Sequence, residues 1–253
     1  MHAPLKFISA LAIVALAAAC SYPFSPPATA VHYDAPRILE KGESAIRGGL
    51  SLNEEVFGSA IIAGDVTYRR GLHERVELSA TASAYGVVGE DNIHDHHRGI
   101  YSARVAPRFK LHDHISAHAG LGGGFSPAAG AFISPEVGLS LGYENAFLVP
   151  FASARFYTSH PIAAKSIRID TEDQTSPEFW SAGLTYGPAV FLGLKIPLGD
   201  WPEKKLRRRY NLTTGFGGTW AFESSKRAHP GDDDSSRATA AFINAIAAFE
   251  ILF

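Results

Sequence analysis

Apolar and polar side chains alternate with a two-residue period along most of the chain after Ser44. The pattern recurs in segments of about ten residues, and none of ordinary length shows a convincing 3.6-residue period of an amphipathic helix. Because successive side chains of a strand point to opposite faces, the alternation predicts β-strands. The predicted strands lie at 44–53, 58–70, 74–86, 98–110, 114–125, 131–143, 146–158, 178–197, 207–222 and 238–253.

The last predicted strand shows the alternation most clearly. Asn244 and Glu250 fall on one face, and the other face carries only apolar side chains, which are Ala241, Ile243, Ala245, Ala247, Phe249, Ile251 and Phe253. One face suits lipid, and the other suits an aqueous or packed interior. Segments 100–110, 131–143 and 210–222 repeat this arrangement. A soluble β-sandwich could also produce strands of period two, so it stays open as an alternative.

The connections between the predicted strands fall into two alternating sets. One set is short at 71–73, 111–113 and 144–145, with 198–206 as its longer exception. The other set includes the long polar stretches 87–97, 159–177 and 223–237. Membrane-spanning barrels have short turns on one side and longer loops on the other, whereas a sandwich has no reason to separate them.

The final five residues, Phe-Glu-Ile-Leu-Phe, resemble the β-signal of bacterial outer-membrane proteins, with Phe249, Ile251 and Phe253 at alternate positions. The resemblance implies an all-β, antiparallel up-and-down transmembrane β-barrel over residues 44–253, inserted by the barrel assembly machinery and surrounded by outer-membrane lipids. About ten strands are expected, with eight or twelve as alternatives. No narrower family is identified, and the oligomeric state is not predicted.

The N-terminal region indicates export. Lys6 precedes an apolar run over 7–19 that is too short to span a bilayer, so residues 1–19 are predicted to be a signal peptide. The residues 16–21, Leu-Ala-Ala-Ala-Cys-Ser, resemble the lipobox of bacterial lipoproteins, although Ala17 stands where that motif usually has leucine. The resemblance implies acylation of Cys20 and handling by the lipoprotein sorting machinery. Ordinary cleavage after small residues at 17–19 or 28–30 remains open.

Residues 20–43 are expected to form a lipid-anchored tether, with the N-terminus in the periplasm. This stretch contains Pro23, Pro26, Pro27 and Pro36, which favour an extended chain. If Cys20 is acylated, Ser21 stands where an inner-membrane retention signal would have aspartate, which implies sorting to the outer membrane.

Composition excludes several classes of function. The chain has 23 basic and 25 acidic residues and a net charge of −2, which gives no broad footprint for nucleic acid. Cys20 is the only cysteine, so neither a disulfide nor a cysteine-based zinc site can form within the chain. No cofactor is expected.

The predicted inner face carries ionisable side chains of both signs. Such groups must pair or stay hydrated, and the bore of an eight- to ten-stranded barrel is about wide enough for side chains. We therefore expect a charge network that fills the lumen. The alternative is a narrow polar channel or small-ligand cavity in which Arg104, Arg108 and Arg155 would favour anions. The members of the network are Arg47, Asp65, Glu77, Arg104, Arg108, His118, Glu136, Arg155, Lys195 and Glu250.

Aromatic side chains near the predicted strand ends are expected to form interfacial girdles. The first girdle would contain Tyr68, Phe109, Tyr143, Phe147 and Tyr210. The second would contain Tyr101, Phe125, Trp180 and Trp220.

Candidate chemistry is sparse. His94, His96 and His97 lie in an acidic stretch and are weak candidates for binding a transition metal, because their spacing fits no zinc motif and a solvated extracellular loop is the simpler explanation. Some outer-membrane barrels are enzymes, such as the omptin proteases and the lipases, but no carboxylate or serine partner can be assigned to His160 or His229. No catalytic residue is predicted.

The expected function is therefore that of a non-enzymatic outer-membrane barrel with an envelope-structural, adhesive or narrow-channel role. A barrel enzyme acting on lipid or peptide at the extracellular rim is one alternative. A soluble periplasmic β-sandwich lipoprotein is the other.

Overall fold

The computed structural model describes residues 27–55, 60–88, 99–126, 130–145, 147–164, 166–171, 174–179, 184–198, 209–224 and 239–253. Twelve strands occur in this part of the chain. They are β1 (Ser44–Glu55), β2 (Ala60–His73), β3 (Val76–Val88), β4 (Gly99–His112), β5 (Ile115–Ser126), β6 (Gly130–Gly142), β7 (Val149–Ala164), β8 (Ser166–Thr171), β9 (Gln174–Phe179), β10 (Thr185–Leu198), β11 (Arg209–Glu223) and β12 (Thr239–Leu252).

Ten of these strands close into an antiparallel up-and-down barrel. Each barrel strand pairs with the next along the chain, β7 pairs with β10, and β12 returns to pair with β1. The seam ends in two backbone hydrogen bonds, from Ser44 N to Phe253 O at 2.9 Å and from Phe253 N to Ser44 O at 2.8 Å. Closure leaves no unpaired edge among the ten described barrel strands, as a hydrocarbon environment requires. The predicted fold class and strand number are confirmed, and the β-sandwich alternative is wrong.

The stretch between β7 and β10 differs from the prediction. Residues 159–177 were expected to be a loop, but β7 continues to Ala164, and β8 and β9 pair as a separate two-stranded sheet. The strand predicted at 178–197 correspondingly begins at Thr185. Proline at 161 and at 177 obscured the alternation here, because proline is depleted in strands.

The alternation along the strands separates an apolar outer face from a polar inner face. On β4, Tyr101, Val105 and Phe109 are about half exposed, whereas Arg104 and Arg108 are buried. On β12, Ile243 and Phe249 point outward while Asn244, Ile246 and Glu250 point inward. Exposed apolar side chains surround the whole barrel, which is the pattern of a wall that faces lipid.

The two ends of the barrel can be named by their connections. The near end holds the start of β1, the end of β12 and the connections 74–75, 113–114, 143–148 and 199–208. The far end holds 56–59, 89–98, 127–129, 224–238 and the connection that carries β8 and β9. The longest connections are at the far end, but 56–59 and 127–129 are short, so the separation by length is weaker than expected.

The N-terminal segment corrects the sequence interpretation. Residues 28–39, here called the plug, lie inside the barrel and are almost all buried, not in an extended tether outside it. The plug joins β1 through a turn in which Gly42 adopts a φ of 90° and donates its N–H to Gly71 O at 2.9 Å.

Within the described residues, no helix is long and apolar enough to cross a membrane.

Candidate functional site

The lumen is the site on which the sequence and the structure converge, and the plug runs along it from one end to the other. Pro27 O accepts a hydrogen bond from Tyr85 near the far end of β3, and Ala28 O accepts one from Ser102 near the far end of β4. At the other extreme, Leu39 N donates to Glu77 at the near end of β3. The plug backbone has no strand partner, so side chains of the wall satisfy many of its polar groups.

The near-end cluster is centred on Glu77, which is fully buried. Arg69 binds it through a two-pronged contact, with Nε and Nη2 each 2.8 Å from a carboxylate oxygen. Arg108 Nη1 adds a third contact at 3.0 Å and donates through Nη2 to the plug carbonyl of Ala35 at 2.6 Å. Charge-assisted bonds of this fork geometry are strong and directional.

Glu250 extends the same cluster across the seam to the last strands. It accepts hydrogen bonds from Arg69 and, at 2.8 Å, from Asn211 Nδ2. Lys195 Nζ lies 3.2 Å from Glu250 Oε2, the oxygen that also accepts the hydrogen bond from Asn211. The final strand is thus held both by the backbone ladder and by buried ion pairs.

The middle cluster ties the plug to β1 and β2. Asp34 pairs with Arg47 at 2.5 Å, and Tyr33 donates its hydroxyl to the two oxygens of Asp65 at 2.8 and 2.9 Å. The guanidinium carbon of Arg47 also lies 4.0 Å from the centroid of the Tyr33 ring, within range for a cation–π contact. Apolar plug residues pack beside this cluster, with Phe191 next to Tyr33.

A third cluster, here called the far-side cluster, is centred on Glu136 of β6. Arg155 Nη1 and Arg104 Nη2 lie 3.2 and 2.5 Å from its two oxygens, and His118 Nε2 lies 3.4 Å from it. Arg155 also donates to Thr29 of the plug through Oγ1 at 2.6 Å and through the carbonyl at 2.7 Å. The plug side chain that reaches this cluster is His32, whose ring centroid is 4.0 Å from that of His118.

All ten residues of the expected charge network lie on the inner face in the structure. One charged wall residue that the sequence interpretation missed is Arg69, which shares the inward phase of Asp65 and Thr67 and could have been found from that parity. The interpretation also missed every contribution of the plug, including Tyr33 and Asp34. No signal in the sequence distinguishes these residues from a solvated tether.

Two cavities between the plug and the wall of the described barrel are small. A cavity between the plug and β1 to β4 has a volume of about 10 Å³, and another at the near end, beside Arg69 and Lys195, has about 50 Å³. A single water needs about 10–15 Å³ by the same kind of measure. Each of these two cavities has room for no more than a few waters.

The remaining candidate residues are placed as follows. Cys20, the loop histidines 94, 96 and 97, His229 and Trp180 lie outside the described residues. His160 is exposed and is 3.3 Å from the hydroxyl of Thr158, which is neither a carboxylate nor a serine. Phe249, of the β-signal, stacks on Tyr210 with ring centroids 5.8 Å apart.

Exposed aromatic side chains lie at both ends of the barrel wall. At the near end they include Tyr68, Phe109, Tyr143, Phe147 and Tyr210. At the far end, Tyr101 and Phe125 pair on the outer face with ring centroids 5.8 Å apart, while Trp220 is half-buried. The two groups flank the apolar band as interfacial girdles do.

Comparisons with known proteins add similarity of shape and no family. No family model matches the chain, and no curated protein matches it. Among solved structures, the chain is similar to Neisserial surface protein A, with 9% identity, a TM-score of 0.33 and coverage of 82% of this chain and 94% of that one.

Two Pseudomonas aeruginosa barrels are similar to the same degree. The N-terminal β-barrel domain of OprF shows 10% identity, a TM-score of 0.32 and coverage of 81% of this chain and 96% of that one. The outer membrane protein OprG shows 10% identity, a TM-score of 0.32 and coverage of 85% and 98%. The chain has the architecture of a bacterial outer-membrane β-barrel, and that conclusion rests on its own closed sheet and apolar exterior.

Proposed function

We propose that this protein is a sealed outer-membrane barrel that serves the envelope as a structural scaffold and presents its far-end connections at the cell surface. The observation that carries the proposal is the plug, which threads the lumen and is bound to the wall at three levels by buried side chains. A barrel built to conduct would leave a continuous hydrated path. Here the bore is occupied by the chain itself.

The charge balance of the lumen supports a structural role over a channel. Arg104, Arg108 and Arg155 were the candidates for an anion-selective path, but each contacts a carboxylate or a plug carbonyl. Guanidinium groups committed to buried pairs offer no stepwise binding sites to a passing ion. Moving them would break pairs whose rupture costs about 3–5 kcal/mol each.

Conductance measurements test the sealed state. The purified barrel is reconstituted in planar bilayers, and we expect no discrete current steps above the lipid background. Arg155→Ala, which removes three contacts with the plug, is the companion variant, and any discrete steps are expected only in this variant. Discrete steps from the unsubstituted protein would overturn the proposal.

Location in the outer membrane is tested separately. The protein should fractionate with outer membranes and resist carbonate extraction, since its exterior is apolar around the whole wall. It should also migrate faster in detergent gels before heating than after heating, because the closed barrel resists unfolding. Release by carbonate would contradict the assignment.

The course of the plug also indicates on which side of the membrane the N-terminus lies. Pro27, the first described residue, lies at the far end, opposite to the start of β1. Residues 20–26 precede it, and at about 3.5 Å per residue these seven residues place an acylated Cys20 at most about 25 Å from that point. We therefore place the N-terminus, and any lipid on it, on the side of the long connections and not in the periplasm.

An accessibility experiment distinguishes the two sides. An epitope inserted after Ser25 should bind antibody on intact cells, whereas the same epitope in the turn 74–75 should bind only after permeabilisation. The reverse result would return the N-terminus to the periplasm. Mass measurement of the mature protein reports whether Cys20 is acylated or removed.

A further inference from the structure

One group of buried side chains has free ligand atoms that the sealed lumen does not use. His32 of the plug, His118 of β5 and Glu136 of β6 each offer a ligand atom, and these three atoms lie within 4.8 Å of one another. All three residues are buried. Within the described residues, His32 Nε2, His118 Nε2 and Glu136 Oε1 make no hydrogen bond. Buried polar atoms without partners are rare enough to call for a specific explanation.

The surroundings orient His32 as a ligand. Its Nδ1 lies 3.6 Å from Asp34 Oδ2, so a proton on Nδ1 faces a carboxylate and the lone pair of Nε2 is left available. A carboxylate behind an imidazole fixes the ring and increases its basicity, which is the usual outer arrangement of metal-binding histidines. His118 Nε2 is already 3.4 Å from Glu136 Oε1, close to the separation of two ligands on one ion.

We propose that His32, His118 and Glu136 bind one divalent transition-metal ion, of the class of zinc, between the plug and the wall. Two imidazoles and one carboxylate are a common zinc donor set, with a fourth position for water. The 4.8 Å spread is wider than such a shell, so binding requires the side chains to move towards the ion. Nitrogen ligands favour zinc, copper or nickel over magnesium and calcium.

The neighbouring arginines restrict the ion further. Arg104 Nη2 is 2.5 Å from Glu136 Oε1, so an ion on this oxygen would have to displace a buried ion pair, and its bonds to the two imidazoles would have to offset that loss. Arg155 continues to hold the second oxygen of Glu136. Positive charge at this distance opposes any divalent cation, so the binding free energy has to come from the two imidazole bonds, which favour zinc, copper or nickel.

The ion would cross-link the plug to the barrel wall. Because His32 belongs to the plug and the other two ligands belong to the wall, the ion would lock the plug at the far-side cluster. This inference goes beyond the sealed barrel, which the ion pairs already maintain, and it stands whether the N-terminus is inside or outside the cell.

Zinc binding is measured on the full mature protein in detergent, with the loop histidines removed by His94→Asn, His96→Asn and His97→Asn. In this background a chromogenic chelator should report one zinc ion per barrel. Adding His32→Asn or His118→Asn should weaken binding by more than the roughly tenfold to 100-fold that loss of an outer partner causes. The matched control is His114→Asn, at an exposed turn, which should leave binding unchanged.

Absence of stoichiometric zinc in the loop-substituted background would overturn the proposal, as would binding that survives both His32→Asn and His118→Asn. Heat-modifiable migration checks that each variant is folded. If neither ligand variant folds, copper(II) bound to the loop-substituted barrel is examined by electron paramagnetic resonance. Coupling to two imidazole nitrogens supports the site, and coupling to one or none overturns it.

Discussion

Arg155 on β7 holds Thr29 of the plug from two directions, donating to its hydroxyl at 2.6 Å and to its carbonyl at 2.7 Å. The same guanidinium reaches Ala30 O at 3.1 Å and Glu136 at 3.2 Å. A single wall residue therefore satisfies backbone groups that have no strand partner. The plug is held by side chains and not by a ladder.

Arg155→Ala should destabilise the barrel by about 3 kcal/mol, because it leaves buried carbonyls and part of a buried carboxylate without a donor. The stability of Arg155→Lys should lie between those of the unsubstituted protein and Arg155→Ala, since one ammonium group cannot reach all four acceptors in fixed geometry. Urea unfolding in detergent, followed by the change in gel migration, measures both. Arg75→Ala, at an exposed turn, is the control. Equal midpoints for Arg155→Ala and Arg75→Ala would show that the plug contacts contribute nothing.

Adjacent glycines on β1 provide a second test, because they face opposite sides of the wall. A Cβ added at Gly49 would collide with the Tyr33 hydroxyl and lie 2.8 Å from Asp65 Oδ1, whereas one added at Gly48 meets nothing within 4 Å. Gly49→Ala should cost about 1–3 kcal/mol by overpacking the lumen. Gly48→Ala should be neutral or slightly stabilising. Comparable losses in the two variants would place the plug elsewhere.

The strands were predictable from the sequence because the period-two pattern is imposed by two different solvents on the two faces of the wall. Val105 faces outward and Arg104 inward whatever the position of the strand in the barrel, so the local pattern is enough to predict a strand. The same parity would have found Arg69, which was overlooked beside Asp65. The observed strand boundaries differ most from the predicted ones around Pro161 of β7 and Pro177 of β9.

The plug was not predictable for a physical reason. His32 and Asp34 are polar residues in a proline-containing stretch, and their burial comes from long-range contacts with His118, Arg47 and Arg108. No local period reports those contacts. An extended segment inside a polar lumen and one in water have the same sequence pattern. The wall residues of the far-side cluster could therefore be predicted, but not its plug residue His32.

The lipid-facing wall should show a dependence on depth. Val105 lies midway along β4 and Leu111 near its near end, and both are exposed on the outer face, at 50% and 60%. Val105→Arg should cost about 2–4 kcal/mol in lipid, while Leu111→Arg should cost about 0–1, because arginine near the interface reaches water. Unfolding from bilayers of defined thickness measures both. Equal costs would mean that the apolar band is not centred on Val105.

Tyr33 offers the sharpest test of the middle cluster. Tyr33→Phe keeps the ring beneath Arg47 but removes the donor to Asp65, which then retains the hydroxyl of Thr67 at 3.4 Å. A loss of about 1–3 kcal/mol is expected for the unsatisfied carboxylate. Tyr143→Phe, on the exposed near-end rim, should change stability by less than about 0.5 kcal/mol. Urea unfolding in detergent compares the two variants, and equal midpoints would contradict the contact between Tyr33 and Asp65.

Combining Tyr33→Phe with Gly49→Ala separates two explanations of the glycine. The added Cβ at Gly49 collides with the very hydroxyl that Tyr33→Phe removes, so the double variant should be more stable than the sum of the two losses predicts. If Gly49 instead mattered for the backbone of β1 alone, the two losses would add. A coupling free energy of about 1 kcal/mol in a double-mutant cycle would therefore place Tyr33 against β1 inside the folded barrel.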